Sequence, residues 1–186
     1  KIAAGEVVER SSSVVKELVE NAIDAGSSII TIDLINGGLN GITITDNGCG
    51  MEHDDALLSF QRHATSKLLR EDDLFFISTL GFRGEALPSI ASVSEVDLVT
   101  CAKTIGTHLH IKGGKLEIDE PADKRIGTRI SIKNLFFNTP ARLKYLKSEP
   151  TELASCVSYI EKIALSYPKI KFTLNNNERA VVKTSG

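Results

Sequence analysis

The chain has 186 residues, 41% hydrophobic and 25% charged, the size of one domain or at most two small ones, with the balance of a globular protein that buries a sizeable core. Lys plus Arg number 22 and Asp plus Glu 24, a net charge of −2, which excludes a whole-domain basic footprint for nucleic acid but leaves room for a local patch. Three widely spaced cysteines without a C-x-x-C argue against a disulfide framework or a structural zinc and for a reducing, cytosolic compartment, no apolar run approaches the ~20 residues of a membrane span, and no secretory signal is visible.

In chain order, Ser13 to Ala25 carries apolar residues at Val14, Val15, Leu18, Val19, Ala22 and Ile23. That is a helical period, with Ser11 to Ser13 as N-cap candidates and Gly26 as the stop. Ile29 to Ile35 is rich in β-branched residues and reads as a strand, Asn36-Gly37-Gly38 as a turn, and Ile42 to Thr45 as a second strand. Glu52 to Arg62 looks helical, Ala64 to Leu80 has no clean period, and Glu85 to Val93 suits a short helix with Pro88 in its first turn. The pattern then changes to short strands over Val96–Cys101, Thr107–Lys112, Lys115–Asp119 and Thr128–Lys133, with Gly113-Gly114 as a hairpin turn. Asn134 to Lys147 reads as a long connection, Glu152 to Ser166 as an amphipathic helix, and Ile170–Leu174 with Arg179–Lys183 as a last hairpin. Helices first and hairpin-linked strands after them predict an α+β fold with a mixed or largely antiparallel sheet under a helical layer. Lys1 at the start and Thr184-Ser185-Gly186 at the end read as a piece cut from a longer protein.

Three segments carry possible chemistry. On the first helix Glu17, Asn21 and Asp24 share one edge, opposite the Leu18–Ala22 stripe; a carboxylate and a carboxamide one turn apart can activate a water and hold a magnesium ion, or the edge is simply solvated. Asp46-Asn47-Gly48-Cys49-Gly50 directly follows a strand, so its Asp is either placed for a ligand or part of a turn. It is not a dinucleotide fingerprint, because His53 stands where the third glycine belongs. Gly81-Phe82-Arg83-Gly84-Glu85-Ala86-Leu87 puts glycines before a helix start, able to offer amides to a phosphate, or forms an ordinary glycine loop. A P-loop is excluded, since Gly114-Lys115 is followed by Leu116. His108 and His110 alternate on a strand and read as surface residues rather than a zinc site. Arg142, Lys144 and Lys147 form a basic run that either touches a DNA backbone or is solvated.

Together, Glu17-Leu18-Val19-Glu20-Asn21-Ala22-Ile23-Asp24-Ala25-Gly26, Asp46-x-Gly48-x-Gly50 and Gly81 to Leu87 resemble the ATPase superfamily of gyrase, the heat-shock chaperone, histidine kinases and MutL. Ile2 to Arg10, His63 to Lys67 and Asn138-Thr139-Pro140-Ala141-Arg142 look like the bacterial MutL branch, the mismatch-repair family. The resemblance spans essentially the whole chain.

The resemblance implies a two-layer, Bergerat-type sandwich with ATP between the helices and a lid loop. It implies Glu17 as the general base for the attacking water and Asn21 as the magnesium ligand, with Asp24 on the same edge. Asp46 would accept from the adenine amino group, Gly48 and Gly50 would shape the pocket and lid hinge, and Thr128 would lie near the adenine. Thr65, Ser66 and Lys67 fall in the lid, and Gly81, Phe82, Arg83, Gly84, Glu85, Ala86 and Leu87 in the phosphate loop and helix start. ATP and Mg²⁺ are the implied cofactors. The implied function is slow ATP hydrolysis that gates dimerisation and recruits a mismatch-recognition protein and other repair factors, with a weak DNA contact; a binding switch with negligible turnover is the alternative. The family's γ-phosphate lysine lies on a following transducer domain, which this chain lacks, so turnover is expected to be slow or absent. Ser11 replaces the family's usual proline without an expected change in mechanism, and the short segment before Ile2 leaves dimerisation of the chain open.

Overall fold

The computed structural model describes residues 8–61 and 85–186. Helix α1 (Ser11–Asp24) buries Val14, Val15, Leu18, Val19 and Ala22 on one face. It ends in a Schellman pattern, the Gly26 amide donating to the Ile23 carbonyl at 2.9 Å and the Ser27 amide to Ala22 at 3.3 Å. Strands β1 (Ile29–Ile35) and β2 (Gly41–Asp46) follow, then helices α2 (His53–Leu58) and α3 (Ala86–Ser92). Next come strands β3 (Glu95–Cys101), β4 (Gly106–Lys112), β5 (Lys115–Ala122) and β6 (Gly127–Lys133). Helices α4 (Pro140–Tyr145) and α5 (Glu149–Ser166) and strands β7 (Lys171–Asn176) and β8 (Arg179–Lys183) complete the chain.

All eight strands form one sheet, in the order β5-β4-β3-β6-β2-β1-β7-β8. Every pairing is antiparallel except β1 with β7, which is parallel because α5 carries the chain across the sheet. Directly opposed residues share a face, so the register writes the core in rows. Leu174, Ile32, Ile44, Ile130, Leu98 and Leu109 form one row; Leu34, Ile42, Ile132, Val96 and Ile111 form the next. All are buried. Over this face α1 packs on β1 and β2, α5 on β7, β8 and α1, and α2 and α3 on β4. The other face alternates to Asp33, Thr43, Thr45, Arg129, Asp97, His108 and His110, exposed or half-buried. This is the two-layer α+β architecture expected from the element order.

Three boundaries differ from the sequence reading. The long connection after β6 contains α4, which begins with Pro140 and has no buried residue, so it lacks the apolar period that marks a helix. Helix α2 stops at Leu58, where the Phe60 and Gln61 amides turn back to Leu57 and Leu58. Strand β5 runs on to Ala122 through Pro121, which an edge strand tolerates because one side needs no ladder donor.

Candidate functional site

A third row lies beside the two apolar ones, on the same helix-covered face, and it is polar. From β2 across β6 and β3 to β4 the opposed residues are Asp46, Thr128, Thr100 and Thr107. Asp46 is 9%, Thr100 1% and Thr107 4% exposed, whereas Thr128 is half-buried. Buried polar side chains on a core face need partners, and these have them. Asp46 Oδ1 accepts from the Gly48 amide at 2.8 Å and from Ser27 Oγ at 3.1 Å. Thr100 Oγ1 accepts from the Met51 amide at 2.9 Å and lies 3.2 Å from the Gly127 carbonyl and 3.0 Å from Thr128 Oγ1.

Burial pushes the Asp46 carboxyl above its ordinary 3.8, while the Gly48 amide, the Ser27 hydroxyl and the Thr128 amide pull it down. The loop after Asp46 is clamped in place. The Cys49 amide donates to the Ala25 carbonyl at 2.9 Å, and a Cβ at Gly48 would lie 2.7 Å from both Ala25 Cβ and Ser27 Oγ. Gly50 has φ +66°, and a Cβ there would sit 2.1 Å from the Cys101 carbonyl oxygen. Both glycines are therefore required by close approach: Gly48 seats the loop on the end of α1, and Gly50 seats it on the end of β3.

The same clamp brings the polar edge of α1 to Asp46. Ser27 follows the C-terminal turn of α1, whose last residues include Asn21 and Asp24. Glu17, Asn21 and Asp24 lie one turn apart along one edge, each half-buried. That edge is structured rather than merely solvated: Glu17 and Glu20 both face the buried Tyr159 phenol of α5, which burial and these two carboxylates push above its ordinary range. Glu20 also lies 3.9 Å from Lys16 Nζ.

Of the other expected site residues, Thr65, Ser66, Lys67, Gly81, Phe82, Arg83 and Gly84 lie outside the described residues. Glu85 directly precedes α3, and Ala86 and Leu87 open it, all three half-buried. Since α3 packs on β4, the polar row runs from the end of α1 to beneath α3. Two open clefts of ≈ 500 and ≈ 520 Å³ lie at the rim formed by β4 and β5, and the second reaches the row at Thr107. Among the described residues no group of three or more His, Cys, Asp or Glu is arranged to hold a metal. His108 and His110 instead share Asp97 Oδ1, at 3.3 and 3.0 Å.

Residues 9–135 match the family model of histidine kinase-, DNA gyrase B- and HSP90-like ATPases. The chain belongs to this ATPase family. Its similarity to MutL runs the full length: the DNA mismatch repair protein MutL of Streptococcus thermophilus is 56% identical over 188 residues, covering 100% of this chain and 29% of that protein. MutL of a Geobacillus species is 57% identical over 187 residues, covering 100% of this chain and 30% of its own length. The chain thus spans less than a third of the length of these curated relatives. The solved Aquifex aeolicus MutL ATPase domain, complexed with ADP, superposes with a TM-score of 0.75 at 29% identity, covering 96% of this chain and 65% of that one. The resemblance read from the motifs, and the sheet-under-helices fold it implied, both stand.

Within this ATPase fold, motif reading missed Ser27, Thr100 and Thr107. Ser27 looks like the tail of a helix stop, and the two threonines look like β-formers in strands. Their signal is positional: each strand places a hydroxyl where the alternation demands an apolar residue, but only strand order puts those positions side by side.

Proposed function

We propose that the chain binds ATP against Asp46 and hydrolyses it slowly, with Glu17 as the base for the attacking water, as the ATPase part of a mismatch-repair protein. The observation that carries this is Asp46 itself, a carboxylate held on the core face of the sheet at the head of a polar row. Such a group is costly to bury and is retained where a ligand answers it. An ionised Asp46 accepts from an exocyclic amine, as adenine offers, and Thr128 lies directly beside it. The Aquifex relative's complex with ADP supports the same ligand class.

Glu17 and Asn21 stand one turn apart on the edge that leads to this pocket. Glu17 can take a proton from a water aligned for attack, and Asp24 and Asn21 add hard oxygen donors. That donor set fits Mg²⁺, which keeps waters and nucleotide phosphates in its shell and needs few protein oxygens; Asn21 would hold it, and it would supply neutralisation of phosphate charge. The Gly81–Leu87 segment, with its glycines and helix start, would offer amides to the phosphates, and Thr65, Ser66 and Lys67 would close over them. In the longer protein a following domain would complete the site, and nucleotide binding would gate homodimerisation and the recruitment of repair factors in the cytoplasm, with Arg142, Lys144 and Lys147 as a weak DNA contact.

Calorimetric titration with a non-hydrolysable ATP analogue and Mg²⁺ tests the reading. Asp46→Asn is expected to weaken binding ~10- to 150-fold, the loss of a hydrogen bond to a charged group. Glu17→Ala is expected to bind as the parent does and to lose turnover. Unchanged binding by Asp46→Asn removes the adenine assignment, and parent-rate turnover by Glu17→Ala removes the base.

A further inference from the structure

Thr100 occupies a position where its strand otherwise points Val96 and Leu98 into the core, and it is 1% exposed. A hydroxyl there must satisfy one proton and two lone pairs internally. Its three neighbours decide how. The Met51 amide only donates, at 2.9 Å. The Gly127 carbonyl only accepts, at 3.2 Å. The third neighbour, Thr128 Oγ1 at 3.0 Å, can do either. One arrangement alone satisfies all three: Thr100 gives its proton to Gly127, one lone pair takes the Met51 N–H, and the other takes the Thr128 proton. The Thr128 hydroxyl then has only lone pairs left to offer, and it stands directly across the strand pair from Asp46.

We propose that Thr100 is a positioning residue for base recognition: by holding the Thr128 proton it makes Thr128 and Asp46 an acceptor-only pair, which favours a purine with a 6-amino group over one with a 6-oxo group. The inference rests on the nucleotide reading above and deepens it. A 6-oxo purine would bring an acceptor against two acceptors, leaving polar groups unpaired in a buried site, which is the strongest available ground for rejection. Without the Thr100 hydroxyl the Thr128 proton is free to turn towards the pocket and greet the oxo group.

The test is titration of the chain with non-hydrolysable ATP and GTP analogues, each with Mg²⁺, read as the ratio of the two affinities. Thr100→Val is expected to narrow the preference for the ATP analogue by about 3- to 10-fold, the worth of one neutral hydrogen bond. Thr100→Ser, which keeps the hydroxyl, is expected to hold the parent ratio. In a Thr128→Val background, Thr100→Val should change the ratio no further, because the hydroxyl it acts through is gone. A folded Thr100→Val that keeps the parent ratio, or that loses both affinities by the same factor, overturns the proposal. If Thr100→Val does not fold, Thr128→Val and Thr128→Ser decide: the first should narrow the ratio and the second keep it, and equal ratios overturn it. A parent chain that binds neither analogue overturns the nucleotide reading, and this inference with it.

Discussion

Asp46 answers two opposed demands. Its burial raises the carboxyl above 3.8, and three hydrogen-bond donors only partly offset that. A raised folded pKa means that the folded chain holds the proton more tightly than the unfolded one. The associated stability is fully present below the unfolded value and is lost as pH rises through the folded one. At neutral pH the bare carboxylate is therefore a cost to folding, retained for the ligand. A carboxamide oxygen can still accept from Gly48 and Ser27, so Asp46→Asn is expected to melt no lower than the parent at pH 7 while losing nucleotide affinity. Thermal denaturation beside the titration checks this, and a melting point several degrees below the parent would show that the carboxylate holds the fold together rather than the ligand.

Helix α1 is fixed at both ends by elements far away in sequence. At its N-terminus Arg10 Nε lies 3.3 Å from Glu152 Oε2 of α5, a carboxylate whose side chain is fully buried, and Arg10 Nη2 donates to Ser155 Oγ at 2.9 Å. At its C-terminus the Asp46–Cys49 loop grips Ala25 and Ser27. The rotation of α1, and with it the direction of Glu17 and Asn21, is thus set by α5 and by the loop after β2. Strands β3, β4 and β5 are tied on the outer face by histidines. His108 Nδ1 pairs with Glu120 Oε1 at 2.8 Å, and that bond, with Asp97 behind it, raises the imidazole above 6.5. This pairing stabilises the sheet edge fully below pH 6.5, the unfolded value, and the contribution is lost as pH rises through the raised folded value. Part of the fall in urea midpoint between pH 6 and pH 8 is expected to disappear in Glu120→Gln; an identical slope in that variant would mean that the pair contributes nothing.

For the molecule as a whole, the sheet and helices form one layer pair around continuous apolar rows, and the polar row opens at the edge of that core. Ligand bound there touches both layers at once, through Asp46 and Thr128 from the sheet and the edge of α1 from the helices. Binding should therefore stabilise the whole fold. At a hundredfold excess over its dissociation constant, a nucleotide analogue with Mg²⁺ is expected to add about 2.7 kcal/mol, or roughly 5–11 °C in melting temperature for a domain of this size. The same addition to Asp46→Asn at equal concentration should move it much less. A shift of the same size in both would place the ligand elsewhere on the molecule.

Helix α1, strand β1 and the β4–β5 hairpin could be read from local pattern, because each carries its own period or turn chemistry. So could Glu17, Asn21, Asp46, Gly48 and Gly50, which sit in long contiguous motifs. Helix α4 could not, because it buries nothing and leaves no apolar trace. The parallel pairing of β1 with β7 and the placing of β6 between β2 and β3 could not either, since strand order is decided by which faces pack beneath the helices. Motif and period thus declare the ATPase chemistry and the helix-over-sheet class from the residues alone. Only the folded sheet brings Thr100 and Thr128 beside Asp46 and hangs Ser27 over its carboxylate, because hydrogen bonds between strands distant in the chain create neighbours that no local pattern records.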